Sequence, residues 1–117
     1  MKDSLDTLRQ KLSEFARQRD WDQFHSPKNL SMALIAEAAE LVEHFQWLTE
    51  EQSAKLDDRK KREVSHELAD ILIYLIRTAD KLDIDLIQSA YEKMDINATR
   101  YPIDKVRGQA KRASEYE

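Results

Sequence analysis

Cysteine is absent from this chain of 117 residues, which also contains only one glycine and two prolines. Without cysteine there can be no disulfide scaffold, no cysteine-ligated zinc site and no thiol nucleophile. Glycine and proline form the many tight turns of β-sandwiches and β-barrels, so their scarcity favours an all-α fold. The length suits one domain with a single hydrophobic core.

The sequence also lacks a long apolar run and an excess of positive charge. Its longest apolar run, residues 71–76, is far too short to span a membrane, and its charged N-terminal segment leads us to expect no signal peptide. Lys and Arg total 19 against 23 for Asp and Glu, a net charge of −4 that disfavours general nucleic-acid binding. We therefore expect a cytoplasmic protein that binds neither nucleic acid nor membranes.

Apolar residues recur at helical spacing in four segments, which are separated by capping and turn signals. Ser26 followed by Pro27 is typical of a helix start, and Thr49 followed by Gln52 has the form of a capping box. Pro102 disfavours helix at the residue before it and so ends the last segment. These signals predict a four-helix bundle with helices over about residues 4–19, 27–48, 58–82 and 86–101.

The centre of the third predicted helix, residues 69–76, is apolar on nearly every face. A helix of this kind must be covered on all sides, and a four-helix chain this small cannot easily cover it alone. We therefore expect a homo-oligomer.

The segment at the C-terminal end has a different composition. Residues 100–112 contain five basic residues, one acidic residue and the single glycine, Gly108. We assign residues 1–102 to the helical domain and residues 103–117 to a basic, flexible arm.

Two pairs of acidic residues interrupt apolar stripes in the second and third predicted helices. Glu37 lies where an apolar residue is expected, and Glu40 follows three residues later on the same face. Asp70 interrupts the most apolar stretch of the chain, and Glu67 lies three residues before it. One such pair usually faces solvent, but buried carboxylates are costly, so four close together need a cation. All four ligands would be hard oxygens, which favours Mg²⁺ or Mn²⁺ over zinc.

A carboxylate-bridged di-iron centre is the alternative metal site. Residues 63–66 form an E-x-x-H motif that ends at His66, as in di-iron helical bundles. Such sites need a second E-x-x-H motif, which this sequence does not contain. We therefore expect His66 to be a partly exposed neighbour of the acidic site.

Two further groups of residues are candidates for ligand binding. On the fourth predicted helix, spacings of four and three residues place Lys93, Asn97 and Arg100 on one face, where they could bind phosphate or a sugar hydroxyl. Aromatic side chains in a small domain are mostly core, but those in an irregular segment can stack on a nucleobase. The aromatic candidates are Trp21, Phe24, His25, Trp47 and Tyr74.

Together these residues resemble the MazG-type, all-α nucleoside triphosphate pyrophosphohydrolases, over roughly residues 10–112. The signature of that family is E-x-x-E, a spacer and E-x-x-D, which Glu37, Glu40, Glu67 and Asp70 match. His66 is a departure, because relatives often carry an additional acid there. Several stretches are similar to the dCTP pyrophosphatase branch, namely RDW at 19–21, QFH at 23–25, FQW at 45–47, DILIYL at 70–75 and KMDIN at 93–97.

The resemblance implies hydrolysis of a nucleoside triphosphate between its α- and β-phosphates, with dCTP or a 5-modified dCTP as substrate and cleansing of the nucleotide pool as the role. It implies that the four acids hold Mg²⁺ and that Glu37 or Glu40 acts as general base. It also implies a tetramer assembled from dimers. The nucleotide-binding residues that it implies are Trp21, His25, Trp47, Tyr74, Lys93, Asn97 and Arg100.

Two alternatives remain at this point. The same chemistry could act on dUTP or on a damaged purine nucleotide. Outside the enzymes, the chain could be a helical interaction module whose acidic residues only decorate its surface.

Overall fold

The computed structural model describes residues 4–116, whose regular structure is entirely helical. No β-strand occurs within these residues, so the predicted all-α fold is confirmed. The elements are α1 (Leu5–Gln18), α2 (Pro27–Glu43), α3 (Glu50–Ser53), α4 (Asp58–Lys81), α5 (Leu86–Arg100), α6 (Ile103–Val106) and a 3-10 helix (Ala113–Tyr116).

The helices begin where side chains can accept hydrogen bonds from the free backbone N–H groups of the first turn. Ser26 Oγ accepts from the backbone N–H of Asn29 at 3.1 Å, ahead of Pro27 in the first turn of α2. Thr49 and Gln52 form the predicted capping box of α3. These starts therefore follow from local side-chain chemistry.

Helix α2 ends earlier than the apolar stripe predicts. Its last residue is Glu43, and the stripe residues Phe45 and Leu48 lie in the turns that follow. The backbone N–H of Phe45 bonds to the carbonyl of Val42 at 2.9 Å, which tightens the chain from the α-helical pattern into successive turns. The prediction of a helix through residue 48 is thus wrong, and Trp47 lies in a turn.

The chain forms two compact units, and the larger, N-terminal unit extends to Asp83. In this unit α4 packs most extensively against α2 and less so against α1. The side chains buried in its core are small or aliphatic. They are Ala16, Leu30, Val64, Ile76 and Ala79.

The C-terminal unit begins at Ile84 and contains α5, α6 and the 3-10 helix. The rings of Tyr101 and Tyr116 meet edge to face with their centroids 5.9 Å apart, and Ala113 is buried. Residues 103–116 therefore include short helical elements, while the flexibility predicted for this arm stays a prediction.

Several large apolar side chains remain exposed on α4. Leu68, Leu72 and Leu75 are 52%, 39% and 39% exposed, and they lie in or next to the segment that the sequence shows as apolar on nearly every face.

None of the helices within residues 4–116 combines the length and the apolarity needed to cross a membrane.

Candidate functional site

Three of the four predicted metal ligands come together between α2 and α4. Glu37 projects from α2, and Glu67 and Asp70 project from α4. One carboxylate oxygen from each residue lies within 4.8 Å of the other two, and all three residues are half-buried. The close packing of α2 on α4 brings the two acidic stripes together. We call Glu37, Glu67 and Asp70 the carboxylate cluster.

The carboxylate cluster holds negative charge without hydrogen-bond donors to balance it. Oε2 of Glu37 and Oε2 of Glu67 are both buried and have no hydrogen-bond partner within residues 4–116. Burial, followed by the adjacent carboxyl groups of Glu40 and Glu67, raises the pKa of Glu37 to about 7. Buried polar atoms nearly always have a partner, and a metal ion is one that these two oxygens could bind.

Glu40, the fourth predicted ligand, borders the cluster from the exposed side of α2. It lies close enough to Glu37 to contribute to the raised pKa of that residue. Its own side chain is exposed, and it does not belong to the group of three oxygens within 4.8 Å. Its role as a metal ligand or base stays a prediction.

His44 is a neighbour of the cluster that the sequence analysis did not identify. Its Nε2 lies 3.8 Å from Oε1 of Glu67, and its Nδ1 lies 3.2 Å from Nζ of Lys60. The signal available in the sequence was its position seven residues after Glu37, which is two helical turns and nearly the same face. His66, by contrast, is exposed.

A pocket of about 350 Å³ lies beside the carboxylate cluster. Its wall contains three of the predicted nucleotide-binding residues, Trp21, His25 and Tyr74. Asp70 belongs both to the cluster and to the wall of this pocket, so the two features are contiguous. The remaining wall is largely apolar, contributed by residues such as Phe15 of α1. The pocket can therefore receive a flat, partly apolar group next to a bound cation.

A buried arginine of α4 also contributes to this pocket. Arg77 is 3% exposed and lies in the pocket wall. Its Nη2 donates to Oδ1 of Asp22 at 2.9 Å, and its Nη1 lies 3.5 Å from Oδ2 of Asp80. Spacing alone did not identify this residue, because Asp22 is 55 positions away in the chain.

Trp47 does not lie in this pocket wall, and its side chain is 86% exposed. It is therefore not a core residue of the N-terminal unit. Lys93, Asn97 and Arg100 lie on α5 in the C-terminal unit, at the spacing that places them on one helix face. Lys93 and Arg100 are exposed, and Asn97 is half-buried.

The fold and the cluster define a class of helical proteins in which acidic residues on facing helices can hold a metal ion beside a ligand pocket. The model of the MazG-like family matches residues 33–115, and the chain belongs to this family. That match includes α2 from residue 33 onward and all of α4, and hence every residue of the carboxylate cluster.

Individual relatives agree with this assignment. The chain is 43% identical over 109 residues to dCTP pyrophosphatase 1 of Bos taurus and 40% identical over 114 residues to dCTP pyrophosphatase 1 of Homo sapiens. These alignments include 92% and 96% of this chain but 64% and 67% of the relatives, so the chain spans about two thirds of their length. A solved pyrophosphatase structure from Archaeoglobus fulgidus is 37% identical, with a TM-score of 0.81, over 87% of this chain and 95% of that one.

Proposed function

We propose that this protein is a metal-dependent nucleoside triphosphate pyrophosphohydrolase that converts dCTP, or a modified dCTP, to the monophosphate and pyrophosphate. The observation that carries the proposal is the position of Asp70, which joins the carboxylate cluster to the aromatic pocket. The names of the relatives, dCTP pyrophosphatase 1 in two mammals and a pyrophosphatase in an archaeon, favour the same activity.

Charge explains why a divalent cation is needed. A triphosphate is strongly anionic and the cluster is acidic, so direct contact would be repulsive. The all-oxygen donor set and the two unpartnered oxygens fit Mg²⁺, or Mn²⁺ in its place. Held by Glu37, Glu67 and Asp70, with Glu40 beside them, the ion would supply charge neutralisation at the phosphate oxygens and activation of water.

The protein's own residues divide the remaining work. Trp21, His25 and Tyr74 enclose the base and sugar in the pocket. Glu37 or Glu40 takes the proton from the attacking water as general base. For Trp47, Lys93, Asn97 and Arg100, contact with the nucleotide stays a prediction from the sequence.

We further propose that the protein works in the cytoplasm as a homo-oligomer, a dimer or a tetramer assembled from dimers, and removes unwanted nucleotides from the pool. The exposed Leu68, Leu72 and Leu75 on α4 support the assembly, since burial against a second copy would remove apolar surface from water.

Product analysis tests the activity. Incubation with dCTP should release pyrophosphate as the first product, and only when Mg²⁺ or Mn²⁺ is present. Glu43→Gln is a matched control, because Glu43 is an exposed acid on α2 that does not belong to the carboxylate cluster. Its turnover should equal that of the wild type, whereas Glu37→Gln should lose most turnover. Orthophosphate as the first product would contradict cleavage between the α- and β-phosphates.

A panel of triphosphates distinguishes the substrates. If dUTP or an oxidised purine nucleotide is hydrolysed faster than dCTP, the proposed reaction stands but its substrate is a different nucleotide. If no triphosphate is bound or hydrolysed, the remaining interpretation is that the protein is a helical interaction module.

A further inference from the structure

Arg77 is a buried cation to which the proposed reaction assigns no role. It does not belong to the carboxylate cluster, yet its side chain lies in the wall of the pocket beside it. Burying a guanidinium costs free energy unless its donors are paired, so its retention there calls for a specific set of contacts.

The carboxylates of Asp22 and Asp80 contact the guanidinium of Arg77, and each of them also contacts a second cationic side chain. Asp22 accepts from Nη2 of Arg77 and from Nζ of Lys81, both at 2.9 Å. Asp80 lies 3.5 Å from Nη1 of Arg77 and accepts from Nη1 of Arg9 at 3.1 Å. The orientation of Arg77 is therefore determined by two anchors, and neither carboxylate depends on Arg77 alone.

The third contact of Arg77 is with His25. Nη2 and Nε of Arg77 lie 3.2 Å and 3.4 Å from Nδ1 of the imidazole. A guanidinium has N–H donors and no acceptor, so Nδ1 must be the acceptor and cannot carry a proton. The ring is then neutral, with its proton on Nε2. Burial, and secondly the charge of Arg77, lowers the pKa of His25, in agreement with a neutral ring.

The Nε2–H group that results is a hydrogen-bond donor on a side chain of the pocket wall. His25 lines the pocket, and no group within residues 4–116 pairs with its Nε2. A ligand group that meets this donor must be an acceptor, such as a carbonyl oxygen or an unprotonated ring nitrogen. Nucleobases carry both kinds of acceptor on their edges.

We propose that Arg77 is a positioning residue that fixes the Nε2-protonated tautomer of His25, so that the pocket offers a hydrogen-bond donor to an acceptor atom of the substrate's base. This inference rests on the proposed function, because it takes the nucleotide to bind in this pocket. Arg77 acts through His25 and does not itself need to touch the substrate.

Kinetics with Arg77→Met and Lys81→Met test the inference. Both substitutions remove a cation that donates to Asp22, but only the first removes the contact with His25. Arg77→Met should raise KM for dCTP about three- to tenfold, the effect of losing one neutral hydrogen bond, with kcat changed less than about twofold. Lys81→Met should leave both parameters near the wild-type values. In a His25→Ala background, Arg77→Met should have no further effect on KM.

Nitrogen NMR of the imidazole rings in the wild-type protein tests the tautomer without any substitution. The chain has three histidines, and the spectrum of His25→Ala identifies the signals of His25. At neutral pH we expect an unprotonated Nδ1 and a protonated Nε2. In Arg77→Met the Nδ1-protonated form should become populated. Because Asp22 and Asp80 keep Lys81 and Arg9 as partners, we expect this variant to fold.

Several results would overturn the inference. They are an Nδ1-protonated or doubly protonated His25 in the wild type, an equal rise in KM for Arg77→Met and Lys81→Met, or an undiminished effect of Arg77→Met in the His25→Ala background. A wild-type protein that neither binds nor hydrolyses any triphosphate would refute the proposed function and the base contact together. The NMR spectrum would still show whether Arg77 sets the tautomer, so the two failures can be told apart.

Discussion

Replacing Glu37 by glutamine should stabilise the metal-free protein at alkaline pH while abolishing its function. The side chain keeps its size and shape, but its negative charge disappears from between Glu40 and Glu67. The pKa of Glu37 is raised from an ordinary 4.5 to about 7, first by burial and then by these neighbours. The folded protein therefore binds a proton that the unfolded chain has released, and wild-type stability falls as the pH rises through this window.

The size of the effect follows from the same difference in pKa. The difference between 4.5 and about 7 corresponds to an upper limit of about 3.4 kcal/mol. Glu37 is only half-buried, so screening by solvent reduces the expected gain of Glu37→Gln to about 1–2 kcal/mol at pH 8. The gain should be small at pH 4.5, where Glu37 is protonated in the folded protein and about half protonated in the unfolded chain, and it should vanish at lower pH. For a chain of this length it corresponds to roughly 3–6 °C in Tm per kcal/mol.

Thermal and urea unfolding in EDTA between pH 4.5 and pH 8 measure this gain. Glu43→Gln removes an exposed acid from the same helix and should give no gain of this size at any pH. A Glu37→Gln variant that is less stable than the wild type throughout would refute the electrostatic account of the cluster. A gain independent of pH would refute it too.

Three further predictions concern the metal, the aromatic residues and the assembly. Mg²⁺ at a hundred times its Kd should stabilise the wild type by about 2.7 kcal/mol. Thermal melts with Mg²⁺ and with EDTA should show that Asp70→Asn loses most of this gain but is no less stable than the wild type in EDTA. Equal gains in both proteins would show that Asp70 is not a metal ligand. Trp47→Ala should weaken nucleotide affinity, measured by titration calorimetry, by about 1–3 kcal/mol. Its Tm should change little, because the side chain is 86% exposed. Unchanged affinity would exclude stacking of Trp47 on the nucleobase. Leu72→Glu should reduce the mass measured by light scattering after size-exclusion chromatography, and an unchanged mass would show that this part of α4 is not the interface.

Local signals predict the helices of this protein better than they predict its site. Ser26 with Pro27, and Thr49 with Gln52, determine helix starts through hydrogen bonds that span only three residues. The end of α2 at Glu43 was not predictable in this way, because the apolar stripe continues through Phe45 into the turns. Periodicity indicates which residues face the core, but it does not distinguish a helix from a series of turns that bury the same side.

The carboxylate cluster was predictable in part, because the i, i+3 spacing places each acidic pair on one helix face and α2 packs on α4. The contact of Arg77 with His25 was not, since it joins residues 52 positions apart and depends on how the segment after α1 folds back. In that segment Asp20 takes a left-handed conformation with φ of 54°, which an aspartate tolerates better than most residues. Such long-range polar contacts leave no periodic pattern in the sequence.

The most direct measurement is calorimetric titration of the wild type and of Asp70→Asn with a non-hydrolysable dCTP analogue, each with Mg²⁺ and with EDTA. Asp70 belongs to both the carboxylate cluster and the pocket, so metal and nucleotide binding should depend on each other through this residue. We expect the wild type to bind the analogue only when Mg²⁺ is present, and Asp70→Asn to bind it weakly under both conditions. Equal binding by the two proteins, or no heat from the wild type with Mg²⁺, would contradict a metal-dependent nucleotide site between α2 and α4.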